Sequence, residues 1–410
     1  MKCGDPMHKK LWNKDYILLL QANVISSIGD LMYSVAIGYW VYEKTGSSAL
    51  MGIMSAISMF VSMFLSPFSG SIVDKCDRKK VIVGVDAIQG LLMLTVGVFA
   101  YMNALDVVGV LLVALVAAFG SVFYSPAVST LMLDIIPHDD MVRGQSIHSS
   151  ATALISMVGS AFSGVMVAFF GVPLIVVMNG LSNLYSAVSE LFIHVPRTVQ
   201  QGQPVTAKGV LRDMGDAIKS IFADKCLKIF VPCALILNLL GAGPGALMLP
   251  FCLEKGFTVD MYGYGSAIVT FAYLLGVVVL GTVKLSPKVR FWAMGIGFVS
   301  SVVLSLMAYL SEAYILILVL YFGFSLCNCI GNTIFNASLM LAMPEENRGA
   351  ILGFIQAACT GGSALSAVIY GLLGDVFPLY LVFAAGAILS LVPMVWLCFH
   401  RDVKEFVLNH

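Results

Sequence analysis

Residues 48–101 read SALMGIMSAISMFVSMFLSPFSGSIVDKCDRKKVIVGVDAIQGLLMLTVGVFAY, two long apolar stretches separated by a short charged segment. Each stretch is at least as long as the about 20 residues that an α-helix needs to cross a bilayer. The segment between them, residues 74–80, carries six charges in seven residues. The pattern predicts two spanning helices joined by a loop in water.

The whole chain has the same character. It has 410 residues, of which 59% are apolar and 11% charged, whereas soluble domains carry about 25% charged residues. A single soluble core could not bury this much apolar surface, so we predict an all-α integral membrane protein. The net charge is zero, which gives no reason to expect a nucleic-acid partner. The N-terminus lacks a small-residue cleavage site, so we expect no cleavable signal peptide.

The length criterion predicts twelve transmembrane helices. Their approximate bounds are 16–42, 48–72, 80–101, 107–135, 145–171, 173–195, 227–253, 259–283, 290–310, 313–342, 349–374 and 378–399. Of the 23 Lys and Arg residues, only Lys44 and Lys255 fall on the side opposite the N-terminus. The positive-inside rule therefore predicts a multi-pass protein of the cell (inner) membrane with both termini in the cytoplasm.

The two halves of the chain repeat each other. A shift of 211 residues places Glu43-Lys44 on Glu254-Lys255, Gly52 on Gly263 and Gly70 on Gly281. We predict pseudo-symmetric six-helix bundles at 1–195 and 227–400, a cytoplasmic linker at 196–226 and a tail at 401–410. Apolar residues at helical spacing in the linker predict an amphipathic helix on the membrane surface.

The charged segment and its approach, Gly70-Ser-Ile-Val-Asp74-Lys-Cys-Asp77-Arg78-Lys79-Lys80, resemble the signature loop G-x-x-x-D-[RK]-x-G-R-[RK] of the major facilitator superfamily. That superfamily is a known example of repeated bundles. Further stretches resemble its macrolide-efflux branch: Leu11-Trp12-Asn13-Lys14-Asp15, Glu43-Lys44-Thr45-Gly46, residues 73–80 and Ser125-Pro126-Ala127. The resemblance covers the whole chain.

The resemblance implies a cytoplasmic gate. It assigns Asp74 to face the start of span 11 near residues 347–349, where a helix N-terminus attracts a carboxylate. It assigns Arg78 to bridge to Asp134 at the inner end of span 4. The gate candidates are Gly70, Asp74, Asp77, Arg78, Lys79 and Asp134. Asp77 replaces the usual glycine, and its extra charge is expected to weaken the gate; the alternative is that the loop is a topology signal alone.

Ionisable residues inside spans are costly and are candidates for function. Asp30 lies midway along span 1, where low dielectric favours a carboxyl that gains and loses a proton. Its alternative role is structural, with hydrogen bonds to Ser26, Ser34 or Asn23. The secondary candidates, Asp86 and Glu190, also have structural alternatives. Asp86 can belong to the cytoplasmic charge cluster. Glu190, one turn before His194, is read as an interface contact.

No Lys or Arg lies near the middle of a predicted span. A carrier of anions normally offsets the substrate charge with a buried cation, so we expect neutral or cationic amphiphiles. Two features that the superfamily associates with proton antiport are incomplete. Ala117-Ala118-Phe119 stand where an arginine is usual in span 4, and residues 159–164 in span 5 lack the proline of the G-P-x-x-G-G antiporter signature.

Polar residues near span centres are cavity candidates, each with interhelical hydrogen bonding as the alternative role. They are Asn23, Tyr33, Gln89, Tyr124, Asn238, Asn328, Asn332 and Gln356. Gly243-Pro244-Gly245 in span 7 is predicted to be an outer-gate hinge or, with equal reason, a static kink.

Taken together, the residues and the resemblance predict a secondary transporter that exports drug-like or macrolide-like compounds by alternating access in exchange for protons. The alternatives are a lysolipid or lipid-like flippase, or an importer of a small nutrient without proton antiport. The sequence has no P-loop, H-E-x-x-H or G-x-S-x-G motif, so we expect neither an ATP-driven pump nor an enzyme. We expect no cofactor and no metal, a monomer, and three kinds of partner: a small-molecule substrate, protons and membrane lipids.

Overall fold

The computed structural model describes residues 11–137, 140–194, 215, 218–282, 286–343, 348–401 and 404. All regular structure in these ranges is helical. The helices are α1 (Lys14–Thr45), α2 (Ser48–Lys75), α3 (Arg78–Tyr101), α4 (Val107–Ile135), α5 (Met141–Leu191), α6 (Leu227–Ala246), α7 (Met248–Glu254), α8 (Val259–Thr282), α9 (Pro287–Leu310), α10 (Tyr314–Ala342), α11 (Arg348–Gly374) and α12 (Leu379–Phe399).

Among the described residues, eleven helices are long and apolar enough to cross a membrane. These eleven helices include α5 as a single span, although its 51 residues would suffice for two spans. Its backbone leaves helical geometry at Gly171, where φ is +71°, a conformation that costs glycine little. We call the part before Gly171 α5a (141–170) and the part after it α5b (172–191). The break falls where the sequence separates spans 5 and 6; the count of twelve remains a prediction.

One predicted span is interrupted. Helix α6 ends at Ala246, and α7 begins at Met248, so the span expected at 227–253 is two helices. Pro244 lacks the N–H that would bind the carbonyl of Leu240, and the Tyr370 hydroxyl donates to that carbonyl instead, at 2.6 Å. The proline therefore weakens the last turn of α6, and another helix supplies the missing donor.

The chain divides into two compact units that differ from the predicted halves. Unit 1 comprises Met1–Trp40 and Leu65–Val205, and unit 2 comprises Val41–Phe64 and Thr206–His410. The end of α1 and the first half of α2 thus pack with unit 2. Most of the predicted linker helix lies outside the described residues. Its described part, 218–223, is helical, and Ile221 is buried in the core of unit 2.

Glycines hold the helices of unit 1 close together. A side chain on Gly90 or Gly97 of α3 would overlap Leu184 or Val177 of α5b. A side chain on Gly180 of α5b would lie 2.8 Å from the backbone nitrogen of Leu94. Close approach through small residues is the usual packing of membrane helices. It brings the inner faces of α3 and α5b into direct contact.

Within unit 2, small residues of α2 pack against α11. We call this contact the α2–α11 seam, formed by Ser48, Gly52 and Ala56 on α2 and by Ala364, Ala367 and Gly371 on α11. A Cβ on Gly52 would lie 2.2 Å from the Ala367 carbonyl oxygen. Beyond the end of α11, the Asp375 carboxylate accepts hydrogen bonds from the Ser47 hydroxyl at 2.7 Å and the Ala49 N–H at 3.1 Å. An acid thus binds the N-terminus of α2, where the helix dipole favours it.

The Glu-Lys pair of the second repeat joins two helix ends of unit 2. Glu254 accepts a hydrogen bond from the Leu379 N–H at the start of α12, at 3.0 Å. Lys255 donates to the carbonyls of Tyr309 and Ser311 at the end of α9. Both contacts match the helix dipole. Burial lowers the pKa of Lys255, although its neighbours Glu312 and Glu254 oppose that shift.

Candidate functional site

The signature loop ties three helices of unit 1 together. Arg78, at the start of α3, binds Asp134 near the end of α4, with Nη1 and Oδ2 2.6 Å apart. Lys79 donates to the Leu191 carbonyl at the end of α5b, at 2.7 Å. Asp77 is the N-cap of α3 and accepts a hydrogen bond from the backbone N–H of Lys80. The glycine replacement therefore has a structural use as a helix cap, and Asp77 also pairs with Lys80, at 3.8 Å.

The structure contains one of the contacts that the resemblance implies for the gate. The Arg78–Asp134 pair exists, and it lies wholly within unit 1. Gly70 is helical, with open space where a side chain would be. The side chain of Asp74 lies outside the described residues. Whether this loop opens and closes a cytoplasmic gate remains a prediction.

Breaking the Arg78–Asp134 pair is expected to weaken unit 1. The side chains are 9% and 16% exposed, and removing one partner leaves the other charge poorly solvated. We expect Arg78→Gln and Asp134→Asn each to lower the thermal midpoint of the purified protein. We expect the double variant to lose less than the sum, with a coupling of about 1–3 kcal/mol. Additive losses would show that the pair contributes no mutual stabilisation.

Asp30 lies in the middle of α1 and reaches α5b. Its Oδ1 accepts a hydrogen bond from the Asn183 amide at 3.3 Å. Gly29 makes this reach possible, because a Cβ there would lie 2.3 Å from the Ser182 hydroxyl and 2.8 Å from Asn179 Oδ1. Asp30 is surrounded by protein and yet keeps an exposed surface. Its described partner is an amide of α5b rather than the local Ser26, Ser34 or Asn23.

The expectations for the secondary acids were wrong. Glu190 is fully buried and accepts a hydrogen bond from the Tyr124 hydroxyl at 3.1 Å, so it is not an interface contact of His194. His194 is exposed and pairs with Asp15. Asp86 is 3% exposed and interacts with Asp30 and Glu190. Helical spacing places both acids on the inward-facing sides of their helices. The sequence prediction relied instead on their distance from the span ends.

The remaining cavity candidates of unit 1 have different partners. Asn23 interacts with Tyr124 and so joins the surroundings of Glu190. Gln89 donates to the Ala117 carbonyl at 3.1 Å and links α3 to α4. The hydroxyl of Tyr33 is buried and has no hydrogen-bond partner among the described residues. The sequence analysis missed Asn179 and Asn183 of α5b; the Asn183 amide donates to Asn179 Oδ1 at 2.7 Å and to Asp30 Oδ1 at 3.3 Å.

Three candidates of unit 2 share one cavity. Asn238, Asn328 and Asn332 line a space of about 320 Å³ between α6, α9, α10 and α12. Asn332 donates to Asn328 Oδ1 at 2.9 Å, and the Ser363 hydroxyl donates to Asn238 Oδ1 at 3.3 Å. Gln356 is exposed and is not among the residues that line this cavity. Sequence reasoning therefore found the polar lining of a cavity within unit 2; the crevice between the two halves remains a prediction.

A second cavity of unit 2, about 290 Å³, lies beside the first. Half of its lining residues are aromatic residues or methionines, among them Phe251, Phe257, Tyr262 and Met261. Gly241, Pro244, Tyr309 and Phe324 line both cavities. A polar and an aromatic compartment thus lie next to each other, an arrangement suited to a molecule with one polar and one apolar part.

The predicted hinge is packed at one of its glycines. A Cβ on Gly243 would lie 2.4 Å from the ring of Tyr370, whereas a Cβ on Gly245 would meet nothing within 4 Å. The Gly243 N–H also donates a hydrogen bond to the Ser366 hydroxyl oxygen, at 2.8 Å. These contacts favour a fixed kink, and the hinge remains a prediction.

The two glycines provide a matched comparison. Gly243→Ala must displace Tyr370, whose hydroxyl satisfies the Leu240 carbonyl, so we expect a loss of about 1–3 kcal/mol in stability and slower transport. Gly245→Ala adds a methyl group in open space and is expected to leave both unchanged. Thermal unfolding and transport of the two variants, measured side by side, check this. Equal effects of both substitutions would favour a hinge, because a hinge needs the freedom of either glycine.

The chain matches the family model of the Major Facilitator Superfamily over residues 19–258 and 233–407. The chain belongs to the major facilitator superfamily. As such it is a transporter rather than an enzyme, and a multi-pass membrane protein. Its all-helical fold is that of superfamily members of known structure. A bacterial homologue of the human lysosomal transporter Spinster, inward-facing and unoccupied, matches 97% of each chain with a TM-score of 0.70 at 14% identity.

Relatives of this superfamily member include named efflux proteins. Macrolide efflux protein A of Streptococcus pyogenes is 20% identical over 216 residues, 53% of each chain. Multidrug efflux pump Tap of Mycobacterium tuberculosis is 29% identical over 160 residues, 38% of each chain. The chain thus spans about half or less of the length of these relatives. An uncharacterized transporter of the superfamily from Bacillus subtilis, YfmI, is 23% identical over 97% of this chain and 99% of its own.

Proposed function

We propose that this chain exports neutral or cationic amphiphilic compounds from the cytoplasm in exchange for protons, by alternating access. The observation that carries the proposal is the Asp30 carboxylate. It lies mid-span, holds one hydrogen bond to Asn183, and keeps an exposed surface. A carboxylate that is embedded in protein and still accessible can bind a proton in one conformation and release it in another.

The character of the substrate is inferred from charge and cavity lining. No Lys or Arg lies near the middle of a span, which disfavours anions. The polar cavity and the aromatic cavity of unit 2 share a wall, and methionine and aromatic side chains adapt to many apolar shapes. The resemblance to macrolide and multidrug efflux proteins supports the same class of compound.

The predicted topology assigns the two ends of the carrier to the two sides of the membrane. With both termini in the cytoplasm, the Arg78–Asp134 pair lies at the cytoplasmic end and the α2–α11 seam at the external end. Each cycle would then part the seam while the cytoplasmic end closes. This arrangement lets one crevice face the two sides of the membrane in turn.

Reconstitution in liposomes tests the proposal. The purified chain is inserted in vesicles that contain a pH-sensitive dye, and compounds that raise its thermal midpoint are added as gradients. The screen includes macrolides, cationic dyes, nucleosides, lysolipids and organic anions. We expect cationic dyes or macrolides to stabilise the protein and their movement to drive an opposite proton flux. Stabilisation by lysolipids or nucleosides alone, or compound movement with no pH change, would overturn the proposal.

A further inference from the structure

Helix α5b carries a stripe of buried polar residues, of which the proposed function uses only Asn183. Asn179, Asn183, Ser186 and Glu190 are spaced by four, three and four residues, so they share one helix face. None is more than 1% exposed. A polar face within a membrane-spanning helix is costly in free energy unless polar groups of neighbouring helices interact with it. We call this face the α5b polar stripe.

Three acids meet the stripe at successive levels. Asp30 of α1 binds Asn183 at 3.3 Å, Asp86 of α3 interacts with Ser186, and Glu190 belongs to the stripe itself. The level of Asn183 and that of Glu190 are about 10 Å apart along the helix axis. Asp86 interacts with both other acids. The charge of Asp30 therefore acts on Asp86 and that of Asp86 on Glu190, which makes the acids an electrostatically linked series.

Several oxygens of this series lack a hydrogen-bond partner among the described residues. They are Asp86 Oδ2, Asn183 Oδ1, Ser186 Oγ and Glu190 Oε2. All are buried, and all accept hydrogen bonds, while Ser186 can also donate one. Buried acceptors that have no donor require protons or water beside them.

Among the residues that the structure describes, the charged and titratable groups around the stripe supply no cation for the three carboxylates. Helix α1 contributes Asp30, Tyr33 and Asp15, and Asp15 is already paired with His194 at the end of the stripe. Helix α3 contributes Asp86 and Lys79, and the Lys79 ammonium donates to the Leu191 carbonyl. Helix α4 contributes Tyr124, which donates to Glu190. Three ionised carboxylates without a cation would be strongly unfavourable in this setting, so protons must occupy part of the series.

We propose that Glu190 and Asp86 conduct protons between the Leu191 end of α5b and Asp30. A proton passes from the Glu190 carboxyl to the Asp86 carboxylate through water beside the Ser186 hydroxyl, because Ser186 Oγ and Glu190 Oε2 have no hydrogen-bond partner among the described residues. The Glu190 carboxylate, held by the Tyr124 hydroxyl, then takes a proton from water at the His194 end. Asp86 next protonates Asp30, the one acid of the three with an exposed surface. This inference rests on the proposed proton coupling, since it assigns the route to the coupling residue.

Infrared pH-difference spectra of the full chain in detergent test the route without a substrate. We expect bands of protonated carboxyls that change with pH. Glu190→Gln and Asp86→Asn are each expected to remove one band, and Tyr124→Phe to shift the Glu190 band without removing it. The exposed Glu43→Gln is the matched control and is expected to leave these bands unchanged. Spectra of Glu190→Gln and Asp86→Asn that equal the wild-type spectrum would overturn the route.

Proton flux in the dye-loaded vesicles, driven by an ethidium gradient, separates this inference from the proposed function. If Glu190 and Asp86 conduct protons, either substitution slows wild-type proton flux by roughly tenfold or more, with ethidium binding unchanged. If wild-type vesicles move ethidium with no proton flux, the proposed function fails. If Asp30→Asn abolishes the flux but Glu190→Gln and Asp86→Asn retain the wild-type rate and pH profile, the route alone fails. If ethidium is not moved, the infrared spectra decide.

Discussion

Replacing Asp30 with asparagine is expected to abolish proton-coupled transport while leaving the fold intact. An asparagine oxygen can still accept the hydrogen bond from Asn183, so the contact between α1 and α5b remains. The side chain can no longer bind and release a proton. We expect the substrate-driven pH change in vesicles to fall below detection, with the thermal midpoint changed by no more than about 0.5 kcal/mol in stability.

The control for this substitution is Glu43→Gln, which removes an exposed carboxylate near the end of α1 and is expected to transport at the wild-type rate. Compound binding is measured by thermal shift in all three proteins. Full coupled transport by Asp30→Asn would assign proton binding to another residue. Loss of both binding and stability would indicate instead that Asp30 has the structural role that the sequence left open.

The second large effect is expected at Gly52. A Cβ there would lie 2.2 Å from the Ala367 carbonyl oxygen and 3.1 Å from the carbonyl carbon. Backbone atoms cannot rotate away, so even alanine must push α2 from α11. We expect Gly52→Ala to cost about 1–3 kcal/mol, and Gly52→Val to cost more. The displaced α2 would also lose its hydrogen bonds from Ser47 and Ala49 to Asp375.

Transport is expected to fall together with the stability of the α2–α11 seam, by roughly tenfold for each 1.4 kcal/mol that closure of the seam loses. Gly353→Ala on α11 is the matched control, because a Cβ there meets nothing within 4 Å. That substitution is expected to leave transport unchanged. Wild-type transport and thermal midpoint in Gly52→Val would show that the seam does not close in the cycle.

Much of the fold was predictable because the bilayer imposes a simple rule. Apolar runs of sufficient length become helices, and the structure has a helix at each predicted span, with the break at Gly171 in the expected place. The split between α6 and α7 was harder to predict from the sequence. It depends on how Tyr370, 126 residues further along the chain from Pro244, satisfies a carbonyl that the proline leaves free.

The residues of the candidate site were likewise predictable only in part. Sequence placed Asp30 in a span and, through the resemblance, paired Arg78 with Asp134. It misread Glu190 because the distance from the span end indicated an interface, while the orientation of the helix buries that residue against Tyr124. The helical spacing of the α5b polar stripe is visible in the sequence. Only the tertiary structure shows which side chains of other helices lie against Asn179, Asn183, Ser186 and Glu190.

The sequence by itself determined that the chain folds in a bilayer, where its helices lie and which family it belongs to. The length of apolar segments and a short charged motif are local properties of the chain. The tertiary structure alone decided which polar groups meet. Whether Asp86 faces Glu190 or Gly52 touches Ala367 depends on how each helix is rotated and how closely glycines let it approach its neighbour. That rotation is fixed by packing between residues far apart in the chain, which no single segment specifies.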